Sequence, residues 1–421
     1  MMKFQDLSDK TIAIWGMGKE GQAIYHVLQQ KVPSASLLIV GEENTADILK
    51  ADVLIKSPGV SLYRDEVQNA IQQGVFCTSG TNLFLKNKSP KTKVIAVTGT
   101  KGKSTTSSLL YHTLFQLGLR VGLAGNIGKP LIECVDEDLD IVIAELSSYQ
   151  AADIKGDIEM AILTNLYPEH LQWHKTHEQY YMDKINLLNQ SKCVIINEKQ
   201  ERSRLKTNHL IQKMGFNTQT TIHHKEGAFF DDNTRLFKSD GILLKGEHNL
   251  ENACAVLTVL KQLNLPLEKA QNAFKSFNPL PHRLEILGQK DGITFVDDSI
   301  STTPETAIAG VKAFLSYPFI TLIIGGMDRG QDYTELIQFL TTLSKKICLI
   351  TLPDTGERAY LSAKEKGIFC LNANTMAEAV NLAKTYTEKG GIVLLSPAAP
   401  SYNLYKNFEE RGQDFKKNIF L

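Results

Sequence analysis

With 421 residues, the chain is too long for a single ordinary hydrophobic core, so the sequence predicts two or three domains. Lys plus Arg equals Asp plus Glu at 46 each, which argues against a nucleic-acid-binding protein because such proteins usually carry a basic excess. No stretch is long and apolar enough to cross a bilayer, and the first residues lack the apolar core of a signal peptide. The six cysteines are scattered without a C-x-x-C pair, so we expect a reduced, cytoplasmic protein that is not inserted into a membrane.

Short apolar runs alternate with helical patterns along the whole chain, which is typical of α/β proteins with mostly parallel sheets. Residues 198–245 look irregular, except for a hairpin predicted between Gly227 and Gly241. Strands are predicted at Thr11–Trp15, Ser36–Val40, Val53–Lys56, Val94–Thr98, Asp140–Glu145, Ala161–Asn165, Cys193–Asn197, Thr294–Asp297, Ile320–Ile324, Ile347–Thr351 and Ile392–Ser396.

Two interruptions divide the chain. The polar stretch Lys86–Lys93 precedes an apolar strand, and two prolines interrupt a helical region within Phe277–His282. The predicted domains are therefore residues 1–92, 93–281 and 282–421. Each is expected to carry a mostly parallel sheet flanked by helices.

The first predicted strand ends in a G-x-G-x-x-G motif formed by Gly16, Gly18 and Gly21. This motif can hold a dinucleotide cofactor, but the acidic residue for a ribose is only loosely placed at Glu42 or Glu43. The N-terminal domain also looks too short for a six-stranded dinucleotide fold. The motif can instead admit a mononucleotide or a diphosphate to a helix N-terminus, or it can be a tight packing turn.

A second glycine loop follows the apolar strand Val94–Thr98 and leads into a helical pattern. Strand, glycine loop, lysine, hydroxyl and helix is the arrangement that wraps a nucleoside triphosphate. Backbone N–H groups would contact the phosphates, Lys103 would reach the outer phosphates, and Ser104 would ligate Mg²⁺. Only two residues separate Gly99 from Gly102, whereas the common phosphate loop has four.

Two groups of residues are candidates for metal binding. Glu145 ends a predicted strand, where it can either bind a metal ion shared with phosphates or face solvent. His170, His174 and His177 invite a zinc interpretation, but no cysteine or further ligand is spaced for a zinc site. Magnesium prefers oxygen ligands, so a histidine alone is a weak indication of magnesium.

Three polar loops follow strands of the predicted third domain. They contain the paired carboxylates Asp297 and Asp298, the glycine-rich segment Gly325–Gly330 and the segment Ser396–Phe408. Because these strands belong to one predicted sheet, the three loops can converge on one cleft, although each alone reads as an ordinary turn.

Taken together, these motifs resemble the Mur ligases, the ATP-dependent amino-acid ligases of bacterial peptidoglycan synthesis. The closest resemblance is to the MurD type, which adds glutamate to UDP-N-acetylmuramoyl-L-alanine. It implies a central P-loop-type ATPase domain between Rossmann-like N- and C-terminal domains, in a monomer that uses ATP and Mg²⁺. The matching segments occur in family order along nearly the whole chain: Thr98–Thr106, Gly125–Pro130, Glu145–Gln150, Pro168–Leu171, Gly246–Ala253, Leu280–Glu285 and Asn407–Gly412.

The resemblance also implies roles for individual residues. The implied ATP-binding residues are Gly99, Thr100, Lys101, Gly102, Lys103, Ser104, Thr105, Asn249, Asn252, Arg283 and Asp298. The implied UDP-substrate residues are Gly16, Met17, Gly18, Ser57, Pro58, Gly59, Asn126 and Ser147. The implied glutamate-binding residues are Thr302, Arg329, Ser401 and Phe408. The implied metal ligands are Ser104, Glu145, His170 and a carbamylated Lys184, and the implied catalytic residues are Lys103, Glu145, His170 and Lys184.

Two departures from the MurD pattern affect the glutamate site. Ile300 stands where the pattern has a lysine, and Asn403 stands where it has an aspartate. D-glutamate is the default substrate of the resembled type, and L-glutamate is the alternative. A nicotinamide dehydrogenase would leave the phosphate loop unexplained, and a nucleotide-switched binding protein would leave Asn126, His170 and Arg283 without a role. A folylpolyglutamate synthetase would not need a UDP-binding N-terminal domain.

Overall fold

The computed structural model describes residues 2–167, 171–199, 211–343 and 347–420. The chain packs into two compact units, one of residues 1–242 with 248–277, the other of residues 243–247 with 278–421. No helix in the described ranges has the length and apolar character that crossing a membrane requires. Within these described ranges, three β-sheets organise the two units.

The first unit begins with a four-stranded parallel sheet in the order β2-β1-β3-β4. Its strands are β1 Thr11–Trp15, β2 Ser36–Val40, β3 Val53–Lys56 and β4 Phe76–Ser79. Its helices are α1 Lys19–Lys31, α2 Asp65–Gln72 and α3 Gly80–Asn87. Four strands are fewer than the six of a full dinucleotide fold, as expected from the length of this region.

The second sheet of this unit has nine strands in the order β13-β12-β11-β10-β9-β8-β5-β7-β6. Parallel strands form the part that carries the phosphate loop, and an antiparallel meander of β11, β12 and β13 forms one edge. The strands are β5 Lys93–Thr98, β6 Val121–Gly125, β7 Ile141–Glu145, β8 Ile158–Leu163, β9 Ser191–Asn197, β10 Gln212–Phe216, β11 Ile222–Lys225, β12 Ala228–Asp231 and β13 Thr234–Lys238. The helices of this region are α4 Lys103–Gln116, α5 Ser148–Ala151, α6 Leu171–His174, α7 His177–Asn189, α8 Glu247–Gln262 and α9 Ala270–Ser276.

One hydrophobic core joins these two sheets. It contains Ile12 and Ile55 from the first sheet, Ala96 and Val142 from the second, and Phe84 from α3. A continuous core fixes the two sheets against each other, because its side chains are close-packed and cannot slide freely. The predicted domain boundary between residues 92 and 93 falls inside this compact unit and stays a prediction.

The second unit carries a six-stranded sheet in the order β14-β15-β19-β16-β17-β18, in which only the β14–β15 pair is antiparallel. Its strands are β14 Glu285–Lys290, β15 Ile293–Asp297, β16 Ile320–Gly326, β17 Ile347–Asp354, β18 Cys370–Asn372 and β19 Ile392–Leu395. Its helices are α10 Pro304–Lys312, α11 Thr334–Thr341, α12 Thr355–Glu365, α13 Met376–Tyr386 and α14 Phe408–Phe420.

The predicted strands are confirmed, with small shifts at their ends. The largest shift is in β8, which begins before the predicted Ala161–Asn165 and ends at Leu163. The predicted hairpin is confirmed as the antiparallel pair β12–β13. The prediction that residues 198–245 are irregular is wrong for the part that the structure describes, because β10 and β11 lie there. The prediction also missed β4, β6, β14 and β18, which are short, interrupted by glycine or at sheet edges.

Candidate functional site

The glycines of the phosphate loop are required by their surroundings. Gly99 follows β5 and has φ +143°, and Gly102 immediately precedes α4 and has φ +82°. Residues that carry a side chain rarely adopt either backbone conformation. A Cβ atom on Gly99 would lie 2.0 Å from Thr164 Oγ1, and one on Gly102 would lie 2.7 Å from Asn252 Oδ1. The loop is therefore held tightly between β8 and α8, and Asn252 lies beside it.

Polar contacts fix the rest of the loop and its lysine. Lys103 is the first residue of α4, and its Nζ donates to the carbonyl oxygens of Gly99, at 3.1 Å, and Thr100, at 2.9 Å. The backbone N–H of Lys101 donates to Asn165 Oδ1 at 2.8 Å. Ser104 and Thr105 follow in the first turn of the helix, where the helix dipole favours anions. This geometry agrees with the strand, loop and helix that the sequence predicts.

Glu145 is the last residue of β7, next to β5 in the sheet. It is 1% exposed, so the alternative of a solvent-facing strand end is wrong. Its Oε1 accepts a hydrogen bond from Asn126 Nδ2 at 3.3 Å, while Oε2 is buried with no hydrogen-bond partner among the described residues. A buried carboxylate oxygen without a donor is costly unless a cation or water satisfies it. Glu145 therefore fits an oxygen-preferring cation such as Mg²⁺.

Lys184 lies on α7 and is buried, with 2% of its surface exposed. Its Nζ donates to the Gly99 carbonyl at 2.9 Å and contacts Thr98 Oγ1 at 3.3 Å. Lys184 is therefore not a surface residue, although its sequence context would also suit a surface lysine near an aromatic pair. The amine sits at the carboxyl end of β5, the strand that leads into the phosphate loop, so the structure brings Lys184 and the loop together.

The histidine cluster divides into three different cases. His170 lies outside the described residues. His174 is buried, and both ring nitrogens are engaged, Nδ1 with Asp183 at 2.5 Å and Nε2 with Ser148 Oγ at 2.8 Å. His177 is the exposed first residue of α7. His174 thus has no ring nitrogen left for a metal ion.

Six of the residues implied in UDP-substrate binding, those at 16–18 and 57–59, lie at the carboxyl ends of β1 and β3, which are parallel neighbours. Ser57 Oγ donates to the Gly16 carbonyl at 2.5 Å, which joins the segments Gly16–Gly18 and Ser57–Gly59. A Cβ on Gly21 would lie 2.0 Å from the same carbonyl oxygen, so the motif also serves close packing of α1. The glycine loop thus has a packing role that does not exclude a ligand.

Two contacts join the start of α1, directly after this loop, to the segments that follow β6 and β7. Lys19 Nζ donates to the Gly128 carbonyl at 2.7 Å, and Gln150 Nε2 donates to Glu20 Oε1 at 2.6 Å. Gly128 lies in the same loop as Asn126, and Gln150 lies on α5, the helix that Ser147 caps. Burial raises the pKa of Glu20 to about 7, so this carboxyl is only partly charged near neutral pH. The structure therefore brings the implied UDP-substrate residues into one region of the first unit.

One of the two acidic residues considered for a dinucleotide cofactor is already paired. Arg64 donates two hydrogen bonds of 2.8 Å each to the Glu42 carboxylate, which leaves Glu43 as the other candidate. Together with the four-stranded sheet, this favours a diphosphate site over a nicotinamide cofactor at the glycine motif.

Three loops of the second unit meet at one edge of its sheet, as the sequence predicts. The strands β15, β19 and β16 are adjacent and parallel, so their carboxyl ends lie side by side. Ser396 Oγ donates to Asp298 Oδ2 at 2.8 Å, and the N–H of Met327 donates to the Pro400 carbonyl at 2.8 Å. The loops after β15, β16 and β19 are thus linked to one another.

Arg411 ties these loops together, a role that the sequence reasoning missed. It is 1% exposed and donates to Ser299 Oγ at 3.0 Å, the Ser299 carbonyl at 2.7 Å and the Ala399 carbonyl at 3.0 Å. Burial lowers the pKa of its guanidinium to about 10. The spacing of four residues between Arg411, Phe415 and Ile419 could have predicted its burial, because such residues share one face of a helix.

The implied glutamate-binding residues lie on or beside these loops in different environments. Ser401 is buried, Thr302 and Phe408 are half-buried, and Arg329 is exposed, with its guanidinium 5.6 Å from the centre of the Tyr402 ring. Ile300 lies on the loop after β15 and carries no charge, so Arg329 is the remaining implied cation at this site.

The implied nucleotide-binding residues are divided between the two units. Asn249 and Asn252 are buried on α8, and Asn252 lies beside the phosphate loop. Arg283 and Asp298 lie in the second unit, where the Leu284 N–H donates to Asp298 Oδ1 at 3.2 Å. Their roles toward ATP stay predictions.

Asp298 gives a pH-dependent prediction. Burial raises its pKa from the ordinary 3.8 to about 7. Between about pH 4 and 7 the folded state keeps a proton that the unfolded state has lost, so the stability of the second unit should fall as pH rises through this window. Asp298→Asn should remove this loss, worth at most about 4 kcal/mol.

The measurement is the melting temperature of the second unit between pH 5 and 8. The variant should gain stability relative to the unmodified chain as pH rises. Asp291→Asn, at an exposed hairpin turn, is the matched control and should leave the pH profile unchanged. Parallel profiles for Asp298→Asn and the unmodified chain would contradict the prediction.

Comparisons with known proteins agree with this arrangement. Residues 97–260 match the Mur ligase middle domain. The UDP-N-acetylmuramoyl-L-alanine--L-glutamate ligase of Xanthomonas euvesicatoria pv. vesicatoria (strain 85-10) is 34% identical over 98% of this chain and 96% of its own length. The protein of the same name from Micromonospora sp. (strain ATCC 39149 / NRRL 15099 / SCC 1413) is 33% identical over 99% of this chain and 98% of its own length.

Solved structures share the fold at low sequence identity. UDP-N-acetylmuramate-alanine ligase MurC from Thermotoga maritima is 18% identical, with a TM-score of 0.63 over 98% of this chain and 99% of its own. MurF ligase from the same organism, in complex with ADP, is 17% identical, with a TM-score of 0.62 over 99% of this chain and 96% of its own. Since the curated relatives exceed 30% identity over nearly the full length, the chain belongs to the Mur ligase family and is an ATP-dependent ligase.

Proposed function

We propose that this Mur ligase joins L-glutamate to UDP-N-acetylmuramoyl-L-alanine, with ATP converted to ADP and phosphate. The observation that carries the proposal is the meeting of the phosphate loop, the buried Lys184 and the buried Glu145 at the carboxyl ends of β5 and β7. The names of the curated relatives support the choice of substrates. A cytoplasmic, monomeric state stays a prediction.

The residues at the carboxyl ends of β5 and β7 are chemically suited to bind Mg²⁺. The buried Glu145 Oε2 has no described donor, and the Ser104 hydroxyl lies in the first turn of α4. Carbamylation of Lys184 would convert its cation into a carboxylate, which is a ligand that Mg²⁺ prefers. His170 is the fourth proposed ligand and lies outside the described residues. When bound, Mg²⁺ would neutralise phosphate charge and orient the phosphate oxygens.

The proposed reaction has two steps. The alanyl carboxylate of the UDP substrate attacks the γ-phosphorus of ATP, and the bond from that phosphorus to the β–γ bridging oxygen breaks. ADP departs, and the UDP substrate now carries an acyl phosphate. The glutamate amine then attacks the acyl carbon, loses a proton and expels inorganic phosphate. Lys103 and the loop N–H groups would stabilise the charge that builds up on the phosphates.

Asn126 and Ser147 are proposed to bind the UDP substrate beside this centre. Asn126 already holds Glu145 through its side-chain amide, and Ser147 caps α5 by accepting a hydrogen bond from the Gln150 N–H at 3.3 Å. These contacts fix both side chains before substrate arrives. Such preorganisation lowers the entropic cost of holding the alanyl carboxylate near the phosphate.

The enantiomer is the finer part of the proposal. D-glutamate is the default of the resembled type, but the curated relatives are named L-glutamate ligases. Ile300 and Asn403 also alter the charges on the loops that are proposed to hold the amino acid. We therefore place L-glutamate first and keep D-glutamate as the alternative outcome.

An ATPase assay with UDP-N-acetylmuramoyl-L-alanine, comparing L- and D-glutamate, tests the function. Phosphate release should require both the UDP substrate and glutamate, and it should be faster with the L-enantiomer. Preference for D-glutamate would restore the default of the resembled type. Phosphate release independent of both substrates would overturn the ligase assignment.

Arg329 is predicted to bind a carboxylate of the incoming glutamate. Its guanidinium can hold a carboxylate through two hydrogen bonds, and Ile300 offers no competing charge. Arg329→Ala should raise the KM for glutamate about tenfold or more, the effect of losing a charged hydrogen bond, and leave the KM for ATP nearly unchanged. Arg235→Ala, an exposed arginine on β13, should change neither value.

Ile300→Lys should shift the ratio of L- to D-glutamate turnover if the loop after β15 determines which enantiomer is bound. An unchanged ratio, with Arg329→Ala also neutral, would show that the enantiomer is read elsewhere.

A further inference from the structure

Helix α7 contacts the phosphate loop with one side. The Tyr180 hydroxyl lies 2.9 Å from Thr100 Oγ1, and Lys184 Nζ lies 2.9 Å from the Gly99 carbonyl oxygen. The helix begins after Thr176, whose hydroxyl accepts a hydrogen bond from the Gln179 N–H at 3.1 Å. Tyr180 and Lys184 belong to the same helix, so a shift of α7 would change both contacts to the loop.

The neighbouring side of α7 carries a buried polar network. Asp183 Oδ1 accepts a 2.5 Å hydrogen bond from the Tyr63 hydroxyl, and Asp183 Oδ2 pairs with His174 Nδ1 at 2.5 Å. Gln179 Nε2 lies 2.7 Å from the Tyr63 hydroxyl and 2.8 Å from Asp183 Oδ1. His174 in turn contacts Ser148 on α5. Both carboxylate oxygens of Asp183 are thus satisfied, although the residue is 3% exposed.

The network reaches the segment that follows β3 in the first sheet. This segment, Ser57–Tyr63, begins with three of the implied UDP-substrate residues, Ser57, Pro58 and Gly59, and ends at Tyr63. Trp173 Nε1 donates to the Pro58 carbonyl at 3.1 Å, and Ser61 Oγ donates to the Trp173 carbonyl at 2.9 Å. Three described contacts, through Pro58, Ser61 and Tyr63, therefore tie the segment to the region of α6 and α7.

A fully satisfied polar network specifies one arrangement more sharply than apolar packing does, because any displacement leaves a buried polar group unpaired. Asp183 directly precedes Lys184 on the same helix, so the residue that holds the Tyr63 hydroxyl and the residue beside the phosphate loop share one stretch of backbone. The ring centre of Trp173 lies 5.7 Å from that of Tyr63 and 4.6 Å from that of Tyr149. This packing leaves little room for the three rings to move independently.

We infer that Tyr63 and Asp183 are positioning residues that couple occupation of the Ser57–Gly59 segment to the placement of Lys184 and the phosphate loop. The inference rests on the proposed function in one respect, which is that this segment binds the UDP substrate. Coupling of this kind makes the binding of the two nucleotides cooperative, and it must be reciprocal.

The test measures the Kd of a non-hydrolysable ATP analogue by calorimetry, with and without saturating UDP-N-acetylmuramoyl-L-alanine. In the unmodified enzyme the UDP substrate should tighten analogue binding by about fivefold or more, a typical size for coupled sites. Tyr63→Phe removes one hydroxyl and keeps the ring, so it should bring this ratio to within about twofold of one. The analogue should tighten binding of the UDP substrate by the same factor in the unmodified enzyme.

Tyr25→Phe is the matched control. It also removes a tyrosine hydroxyl from the N-terminal part of the first unit, where that hydroxyl accepts a hydrogen bond from Gln29 at 3.0 Å on α1. This variant should keep the ratio of the unmodified enzyme. Asp183→Asn is a second variant, and its effect on the ratio should not add to that of Tyr63→Phe, because both substitutions break the same network.

The outcomes separate the inference from the proposed function. A Tyr63→Phe enzyme with a lower melting temperature and an unchanged ratio overturns the inference, since that result marks a purely structural hydroxyl. A ratio of one in the unmodified enzyme also overturns it. Failure of the unmodified enzyme to bind the UDP substrate at all overturns the proposed function and the inference together.

Discussion

Replacing Lys103 with alanine is expected to reduce ATP turnover by about 10²-fold or more, the usual loss when one preorganised charge donor is removed from a phosphate site. The residue is the first of α4, and its amine donates to the carbonyl oxygens of Gly99 and Thr100 within the phosphate loop. The fold should therefore survive the substitution. Steady-state phosphate release, together with the melting temperature, measures both effects.

Lys213→Ala is the matched control for this prediction. It removes an exposed lysine from β10, in the same nine-stranded sheet, and should leave turnover unchanged. Nearly normal turnover of Lys103→Ala would contradict the assignment of the phosphate loop. A large loss of stability without loss of specific activity would give Lys103 a structural role instead.

The sequence predicts the parts of the fold in which local pattern and tertiary structure agree. The strand before Gly99 is apolar and β-branched, so both propensity and burial favour β5. The three loops of the second unit were predicted to meet because adjacent parallel strands end at one edge, and their mutual hydrogen bonds bear this out. Rules of sheet topology made these expectations possible.

Other parts of the structure depend on contacts that no local pattern reveals. Tyr63 and Asp183 are 120 positions apart, and neither stands in a motif that predicts their hydrogen bond. Edge strand β14 has half-exposed positions, and β6 carries two glycines, so their patterns do not read as strands. Burial of Glu145 and Lys184 is likewise set by neighbouring elements, and from sequence alone each also reads as a surface residue.

Lys184→Ala is expected to be inactive and to regain part of its activity with a short carboxylate such as acetate. The buried amine lies beside Gly99, so a carboxylate acquired by carbamylation would be placed next to the proposed Mg²⁺ site. Truncation to alanine leaves space in which a small acid can supply the missing oxygen ligands. Turnover measured against acetate concentration should rise and saturate in the variant.

Two comparisons make this prediction specific. Lys192→Ala removes an exposed lysine that pairs with Glu159 at 2.8 Å, and it should remain active without responding to acetate. Acetate should also leave the unmodified enzyme unchanged, because its own side chain fills the position. Full activity of Lys184→Ala without acetate would exclude a catalytic role for the amine or its carbamate. Inactivity that no small carboxylate relieves would instead indicate that the buried amine itself is needed to hold the end of β5.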